Sequence, residues 1–243
     1  MASRSPRRIV LALVLLLLAT VNAYVVKVNS RSSYRVVTSR PSTSLSSQTT
    51  PSTPKASYLQ HLKRASIKLH TSEQLGKKPK PGDAPRRAPE VSKDSLREWL
   101  ECSLIVHRGF DECADGISGL DAHILRMSSK IGHDLKSIYN VDSENVGNEL
   151  GESYVEFLSG LDVKDWMVHY YNFKFAHFAG GKQIYKLIQS QTGVENLRFY
   201  EEVKGREEVK GMIEGIGEGW KVEEEEVGRS FEWAGKVMRV LMK

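Results

Sequence analysis

Two adjacent glycines and a nearby histidine are the residues of this chain whose types and spacing best suit chemistry. Gly180 and Gly181 lie within an aromatic-rich stretch, residues 165–187, whose pattern is otherwise that of one helix. Each glycine inside a helix costs about 1 kcal/mol relative to alanine, so a pair indicates that the backbone must approach something closely. His177 precedes the pair by three and four residues, which places its imidazole on the same helix face as the bare backbone.

A second histidine, His70, follows an amphipathic helical pattern that starts at Tyr58. A flat group held between a helix that carries a histidine and a helix opened by glycines suggests a bound haem. The residues alone leave two alternatives open. His70 can be a helix-terminal histidine that interacts with the C-terminal dipole, and Gly180 and Gly181 can serve tight packing between helices.

Two short motifs, in this order along the chain, resemble the haem oxygenases of plant and algal plastids: Ile67-Lys-Leu-His-Thr71 and Phe175-Ala-His-Phe-Ala-Gly-Gly-Lys182. The resemblance spans roughly residues 58–243. It implies that residues 56–243 form one all-α, haem-oxygenase-like helical bundle. It also implies an enzyme that uses O₂ and a reductant to cleave haem to biliverdin, carbon monoxide and Fe²⁺. Haem would be both substrate and cofactor, and reduced ferredoxin would supply the electrons.

The resemblance further implies roles for single residues. His70 falls at the family's proximal position and is expected to be the axial ligand of the haem iron. Gly180 and Gly181 are expected to bring bare backbone against the opposite haem face, and His177 is expected to support the distal water network. Phe178 stands where the family usually has a small polar residue.

Three cations are expected to bind the two haem propionates. Lys63 lies seven residues before His70, two helical turns away on the same face. Arg206 and Lys210 form an i, i+4 pair that matches the family's propionate-binding pair. Lys210 replaces the more usual arginine there, so bidentate recognition is lost at that position. The alternative for each cation is a solvated surface charge.

Two rival functions remain open at this stage. The first is a non-catalytic relative that binds haem or another tetrapyrrole for regulation. The second is a helical scaffold protein of the plastid that has kept the fold and lost the ligand. Some plastid relatives lack the proximal histidine, whereas this chain retains His70.

The N-terminal part of the chain is typical of targeting sequence. Residues 1–23 combine a basic start, an apolar run and a small-residue cleavage site, as in a signal peptide. Residues 24–55 contain fourteen Ser or Thr and five Lys or Arg and no acidic residue, which is transit-peptide composition and predicts disorder. Together they resemble the two-part targeting sequence of algae whose plastids are wrapped in extra membranes, which implies delivery to the plastid stroma. The alternative is secretion followed by a Ser/Thr-rich stalk.

The basic excess of the chain belongs to that targeting segment. The sequence has 35 Lys plus Arg and 30 Asp plus Glu, but no acidic residue precedes Glu73. Residues 1–72 contain 11 of the basic residues, which leaves 24 basic and 30 acidic residues in the remainder. The high pI therefore reflects the targeting segment and does not indicate a nucleic-acid-binding surface, so no nucleic-acid partner is expected.

A basic loop is a candidate docking surface for the acidic redox partner ferredoxin. This loop contains Lys77, Lys78, Lys80, Arg86 and Arg87. The chain ends at residues 240–243 with no apolar anchor, so the processed protein is expected to be soluble, without stable membrane insertion, and monomeric. Cys102 and Cys113 lie eleven residues apart in one predicted helix, too far for a disulfide, and are expected to be buried free thiols.

The periodic pattern predicts helices over residues 58–71, 94–114, 118–139, 152–160, 162–187, 196–203, 207–220 and 223–242. The acidic run at residues 223–226 is expected to be a solvated helix start. The remaining histidines have no spacing that suggests a metal and are expected to be surface or packed side chains: His61, His107, His123, His133 and His169.

Overall fold

A computed structural model describes residues 57–75, 89–121, 123–201 and 205–243, and for residues 70–75 and 176–180 it describes the helical backbone only. The predicted signal and transit peptides and the five cations of the proposed docking loop lie outside these residues. Within the described ranges the secondary structure is helical, and no strand is present. The all-α prediction is therefore confirmed for this part of the chain.

Seven α-helices and two short 3₁₀ helices are found in the described ranges. The α-helices are α1 (Tyr58–Leu75), α2 (Lys93–Asp115), α3 (Ser128–Tyr139), α4 (Glu149–Ser159), α5 (Val163–Thr192), α6 (Arg206–Ile216) and α7 (Glu224–Leu241). The 3₁₀ helices are Ser143–Asn145 and Arg198–Tyr200. In the part of the chain that the structure describes, no helix is long and apolar enough to cross a membrane.

Helix α2 lies at the centre of the bundle and packs against α3, α4 and α7. The α2–α4 crossing is close because both helices use glycine there. A Cβ on Gly109 would lie 2.5 Å from Cγ2 of Val155, and a Cβ on Gly151 would lie 3.0 Å from the carbonyl oxygen of Cys102. Helix α5 packs against α7, and α1 packs against α6 and α7, which brings both ends of the domain together.

Local hydrogen bonds at the helix starts explain where several helices begin. The Asp162 carboxylate accepts from the backbone N–H of Asp165 at 2.8 Å, as its position before the long helix predicted. Ser92 and Ser95 form a reciprocal capping box at α2. Asn148 caps α4 through the N–H of Gly151, so α4 begins three residues earlier than the sequence pattern predicted.

The helix predicted over residues 118–139 is wrong in its first half, because only Ser128–Tyr139 is helical. Gly119 adopts φ +87°, a left-handed conformation that ends any helix there. The carbonyl oxygen of Leu125 accepts from the buried ammonium of Lys174 at 3.2 Å. Leu120, Leu125 and Met127 of this segment are nevertheless buried in the core, and Ile124 is half-buried.

Two further boundaries differ from prediction. The described part of residues 196–203 contains only one 3₁₀ turn, because Asp134 accepts the backbone N–H groups of Arg198 and Phe199, both at 2.9 Å. Helix α6 ends at Ile216 and not at residue 220, since Gly219 adopts φ +80°.

Both cysteines are free and lie in α2, as predicted. Cys102 is buried, and burial, with a smaller effect from Glu98, raises the pKa of its thiol to about 12. Cys113 is half-buried and not fully buried as expected, and burial also raises the pKa of its thiol. Neither thiol has the lowered pKa of a reactive cysteine.

Candidate functional site

Helices α1 and α5, which carry the two predicted histidines, meet at a polar contact. The hydroxyl of Ser66 donates to Oδ1 of Asn172 at 3.4 Å, and the amide nitrogen of Asn172 donates to Ser230 on α7 at 2.6 Å. His70 lies one turn beyond Ser66 on α1, and His177 lies five residues beyond Asn172 on α5. The fold therefore brings together the two helices on which the site was predicted.

Helix α5 continues through the glycine pair without interruption, from Val163 to Thr192. Gly181 is buried. The side chains of His70, His177 and Phe178 lie outside the described part of the structure, and so does the environment of Gly180. Their roles therefore stay predictions from the sequence.

The three predicted cations occupy two of the helices around α5. Lys63 is half-buried on α1, and Arg206 is the half-buried first residue of α6. The Lys210 ammonium pairs with Glu207 at 2.7 Å and lies 5.8 Å from the ring centroid of Phe175, two residues before His177. Helix α6 thus lies beside the segment of α5 that leads into the glycine pair.

The N-terminus of α1 is fixed by α6. The two oxygens of the Glu214 carboxylate accept the backbone N–H groups of Tyr58 and Leu59 at 3.0 and 2.9 Å. An anion at a helix N-terminus pairs with unsatisfied N–H groups and with the positive end of the dipole. Because Glu214 belongs to the helix that carries Arg206 and Lys210, this contact sets the position of α1 relative to those cations.

A buried ion pair anchors α5 just before the candidate site. The Lys174 ammonium lies 2.8 Å from Oδ1 of Asp111 on α2, and both side chains are buried. Oδ2 of Asp111 accepts from the hydroxyl of Ser128 at 2.8 Å. Burial lowers the pKa of Lys174, and Asp111 opposes that shift. This pair was not predicted from the sequence, although a lysine inside an aromatic-rich helix was a visible signal.

A second buried network crosses α4, α5 and α7. His169 contacts the Tyr154 hydroxyl through Nδ1 at 2.9 Å and the Glu226 carboxylate through Nε2 at 2.6 Å. Burial, followed by the nearby Arg229 guanidinium, lowers the pKa of His169 to about 4. The prediction that residues 223–226 are a solvated helix start is wrong for Glu226, which is 1% exposed.

The other histidines agree with their expected packed or surface placement. His107 and His169 are buried, while His61, His123 and His133 are exposed. Within the described ranges no group of three or more His, Cys, Asp or Glu side chains could hold a metal ion.

The chain is distantly similar to plant chloroplast haem oxygenases. It is 23% identical over 209 residues to heme oxygenase 3, chloroplastic, of Arabidopsis thaliana, covering 76% of this chain and 73% of that protein. It is 24% identical over 203 residues to heme oxygenase 1, chloroplastic, of Oryza sativa subsp. japonica, covering 75% of this chain and 70% of the rice protein. Identity reaches 30% over 105 residues, 38% of this chain and 37% of the relative, with heme oxygenase 1, chloroplastic, of Arabidopsis thaliana. No protein-family model matches the chain.

Proposed function

We propose that this protein is a plastid haem oxygenase that converts haem to biliverdin, carbon monoxide and Fe²⁺ with electrons from reduced ferredoxin. The observation that carries the proposal is the meeting of α1 and α5 at Ser66 and Asn172, because this contact places the helix of His70 beside the helix of Gly180 and Gly181. The distant similarity to chloroplast haem oxygenases supports the same function.

The described residues fit a flat group with anionic substituents. Gly181 is buried, and a glycine at this position lets the α5 backbone be approached more closely than a Cβ would allow. Lys210 lies over the ring of Phe175 on α5, with its side chain 36% exposed and able to approach an anion. Lys63 and Arg206 add two half-buried positive charges on α1 and α6. Cations at the edge of such a group would balance its two propionates.

Each residue then has one task in the proposed reaction. When bound, haem supplies the iron that activates dioxygen and the macrocycle that is opened. His70 would hold the iron through a neutral imidazole nitrogen. Gly180 and Gly181 would let the α5 backbone approach the opposite face, and His177 would hold the water that delivers protons there.

Haem titration of the His70→Ala variant tests the proposed ligand. Wild-type protein should develop a strong Soret band with one equivalent of haem, and the variant should show a weakened and shifted band. His61→Ala is the matched control, because His61 is an exposed histidine on the same helix. Equal spectra for the wild-type protein and the His70 variant would remove His70 as the ligand.

The main alternative is a regulatory haem-binding protein without turnover. Such a protein would give the same Soret band and the same loss in His70→Ala. A single-turnover experiment with reductant and O₂ separates the two functions, because only the enzyme yields bilin. A protein that binds no haem would support the scaffold interpretation.

A further inference from the structure

A stacked pair of oxidisable rings connects the half-exposed surface of α7 to the buried network around His169. The rings of Tyr154 and Trp233 have centroids 4.7 Å apart and an interplanar angle of 5°. Trp233 is half-exposed, whereas Tyr154 is 0% exposed. An electron can therefore leave the buried phenol through direct ring contact with an indole that an oxidant in solution can approach.

The hydrogen bonds of Tyr154 fix where its proton would go. Burial raises the pKa of the Glu226 carboxyl, and the Arg229 guanidinium, 2.6 Å from Oε2, opposes that rise and favours the ionised form. An ionised carboxylate only accepts hydrogen bonds, so Nε2 of His169 must donate to Oε1 of Glu226. Nδ1 of His169 is then unprotonated and accepts from the hydroxyl of Tyr154.

We propose that Tyr154 is a redox-active tyrosine, oxidised through Trp233 and deprotonated by the His169–Glu226 pair. A one-electron oxidant, of the class of a metal(III) polypyridyl complex, first takes an electron from the Trp233 indole. The Tyr154 phenol then returns an electron to Trp233. Its O–H bond breaks as an N–H bond forms at Nδ1 of His169. The proton on Nε2 moves to Oε1 of Glu226.

This exchange leaves no charge on the three buried side chains, and the Arg229 guanidinium, whose side chain is 46% exposed, keeps its positive charge in contact with solvent. Before the step, the Glu226 carboxylate is negative and the oxidised indole of Trp233 is positive. After it, Tyr154 is a neutral phenoxyl radical, Glu226 is a neutral acid and Trp233 is again neutral. Oxidation of a buried phenol that keeps its proton would leave a positive charge in the core, which is costly. Tyr154 is therefore oxidised more easily than a buried tyrosine that contacts no proton acceptor.

A nearby cation directs the oxidising equivalent inward. The Lys236 ammonium lies 3.8 Å from the centroid of the Trp233 ring. A cation over an aromatic face stabilises the neutral ring and opposes a positive charge on it. The other charged groups that act on the His169–Glu226 pair are Arg229, Asp165, Asp162 and Glu225. The radical is therefore expected to rest on Tyr154 and not on Trp233.

Photo-oxidation of the full chain tests this proposal without requiring any bound group. A ruthenium polypyridyl complex and a sacrificial quencher generate the oxidant in a flash, and electron paramagnetic resonance of frozen samples detects the product. The wild-type protein should give a tyrosyl radical whose formation is slower in D₂O. Trp233→Leu should reduce the rate at which this radical appears.

Tyr154→Phe should lose the signal, and Tyr170→Phe is the matched control that should retain it. Tyr170 is also buried and next to a tryptophan, Trp166, but its hydroxyl has no hydrogen-bond partner within the described ranges. High-field spectra of the wild-type protein give a second measure that does not depend on a variant folding. A hydrogen-bonded phenoxyl oxygen lowers the largest g value. Three results would overturn the proposal: the absence of a radical, a largest g value typical of a phenoxyl oxygen without a hydrogen bond, or a signal that persists in folded Tyr154→Phe. The Tyr154–His169–Glu226 network would then have a structural role only.

Discussion

The Lys174 ammonium lies 2.8 Å from the Asp111 carboxylate, with both side chains buried between α5 and α2. Lys174 precedes His177 by three residues, so this ion pair fixes the turn of α5 that leads into the candidate site. Two buried charges are costly to desolvate, and removal of one leaves the other uncompensated.

We therefore expect Asp111→Ala to destabilise the protein by about 3–5 kcal/mol, the cost of leaving a buried charge unpaired. Urea denaturation measures this loss. Lys174→Met combined with Asp111→Leu should recover most of the stability, because the double variant contains no unpaired charge. A double variant as unstable as Asp111→Ala would contradict the assignment of the cost to the unpaired ammonium.

Glu214 should control haem binding without contacting haem. It caps the first turn of α1 from α6, and α1 carries His70. Glu214→Ala should cost about 1 kcal/mol of stability, as loss of a helix cap does. It should also weaken haem affinity in a spectroscopic titration. Glu218→Ala is the matched control, because Glu218 is exposed in the turn after α6. Equal affinities in both variants would show that the cap does not position α1.

Asp134 should matter for stability far more than an ordinary surface acid. It is buried and accepts the N–H groups of Arg198 and Phe199. Burial raises the pKa of its carboxyl, and the two N–H groups oppose that rise. Asp134→Ala leaves two donors without their acceptor, so we expect a loss of about 2–4 kcal/mol. Thermal unfolding compared with the exposed control Asp142→Ala measures it. A change no larger than that of the control would refute this role.

Alkaline pH should unfold the protein through its buried phenols. Burial is the main cause that raises the pKa values of Tyr154, Tyr170 and Tyr200 above the ordinary 10.0. Above pH 10 the unfolded chain loses these protons while the folded protein retains them. The folded state then binds more protons, so stability falls as pH rises. Tyrosinate absorbance and circular dichroism should therefore change together. Complete ionisation of these phenols before helicity is lost would contradict the burial described.

The sequence predicted most helices because their signals are local. The Asp162 cap and the long aromatic pattern defined α5, and the periodic apolar residues defined α2 and α7. The segments before α3 and after α5 were predicted wrongly for one shared reason. Their backbone groups bond to Lys174 and Asp134, side chains distant in sequence, and no local pattern reports such partners.

The candidate site was predictable only as motifs on helices. The sequence indicated that His70 and the glycine pair lie on two helices, and the contact between Ser66 and Asn172 brings those helices together. The buried network was missed because Tyr154, His169 and Glu226 belong to three helices. Their partnership depends on how α4, α5 and α7 pack, and Glu226 resembled its solvated neighbours in the acidic run.

Identification of the pigment formed in one reaction tests the central claim most directly. Residues 56–243 are incubated with haem, reduced ferredoxin and O₂, and the products are separated by chromatography. We predict biliverdin and carbon monoxide with the wild-type protein, and neither product with His70→Ala or without reductant. Bound haem that stays intact under these conditions, or bilin formed equally by His70→Ala, would contradict it.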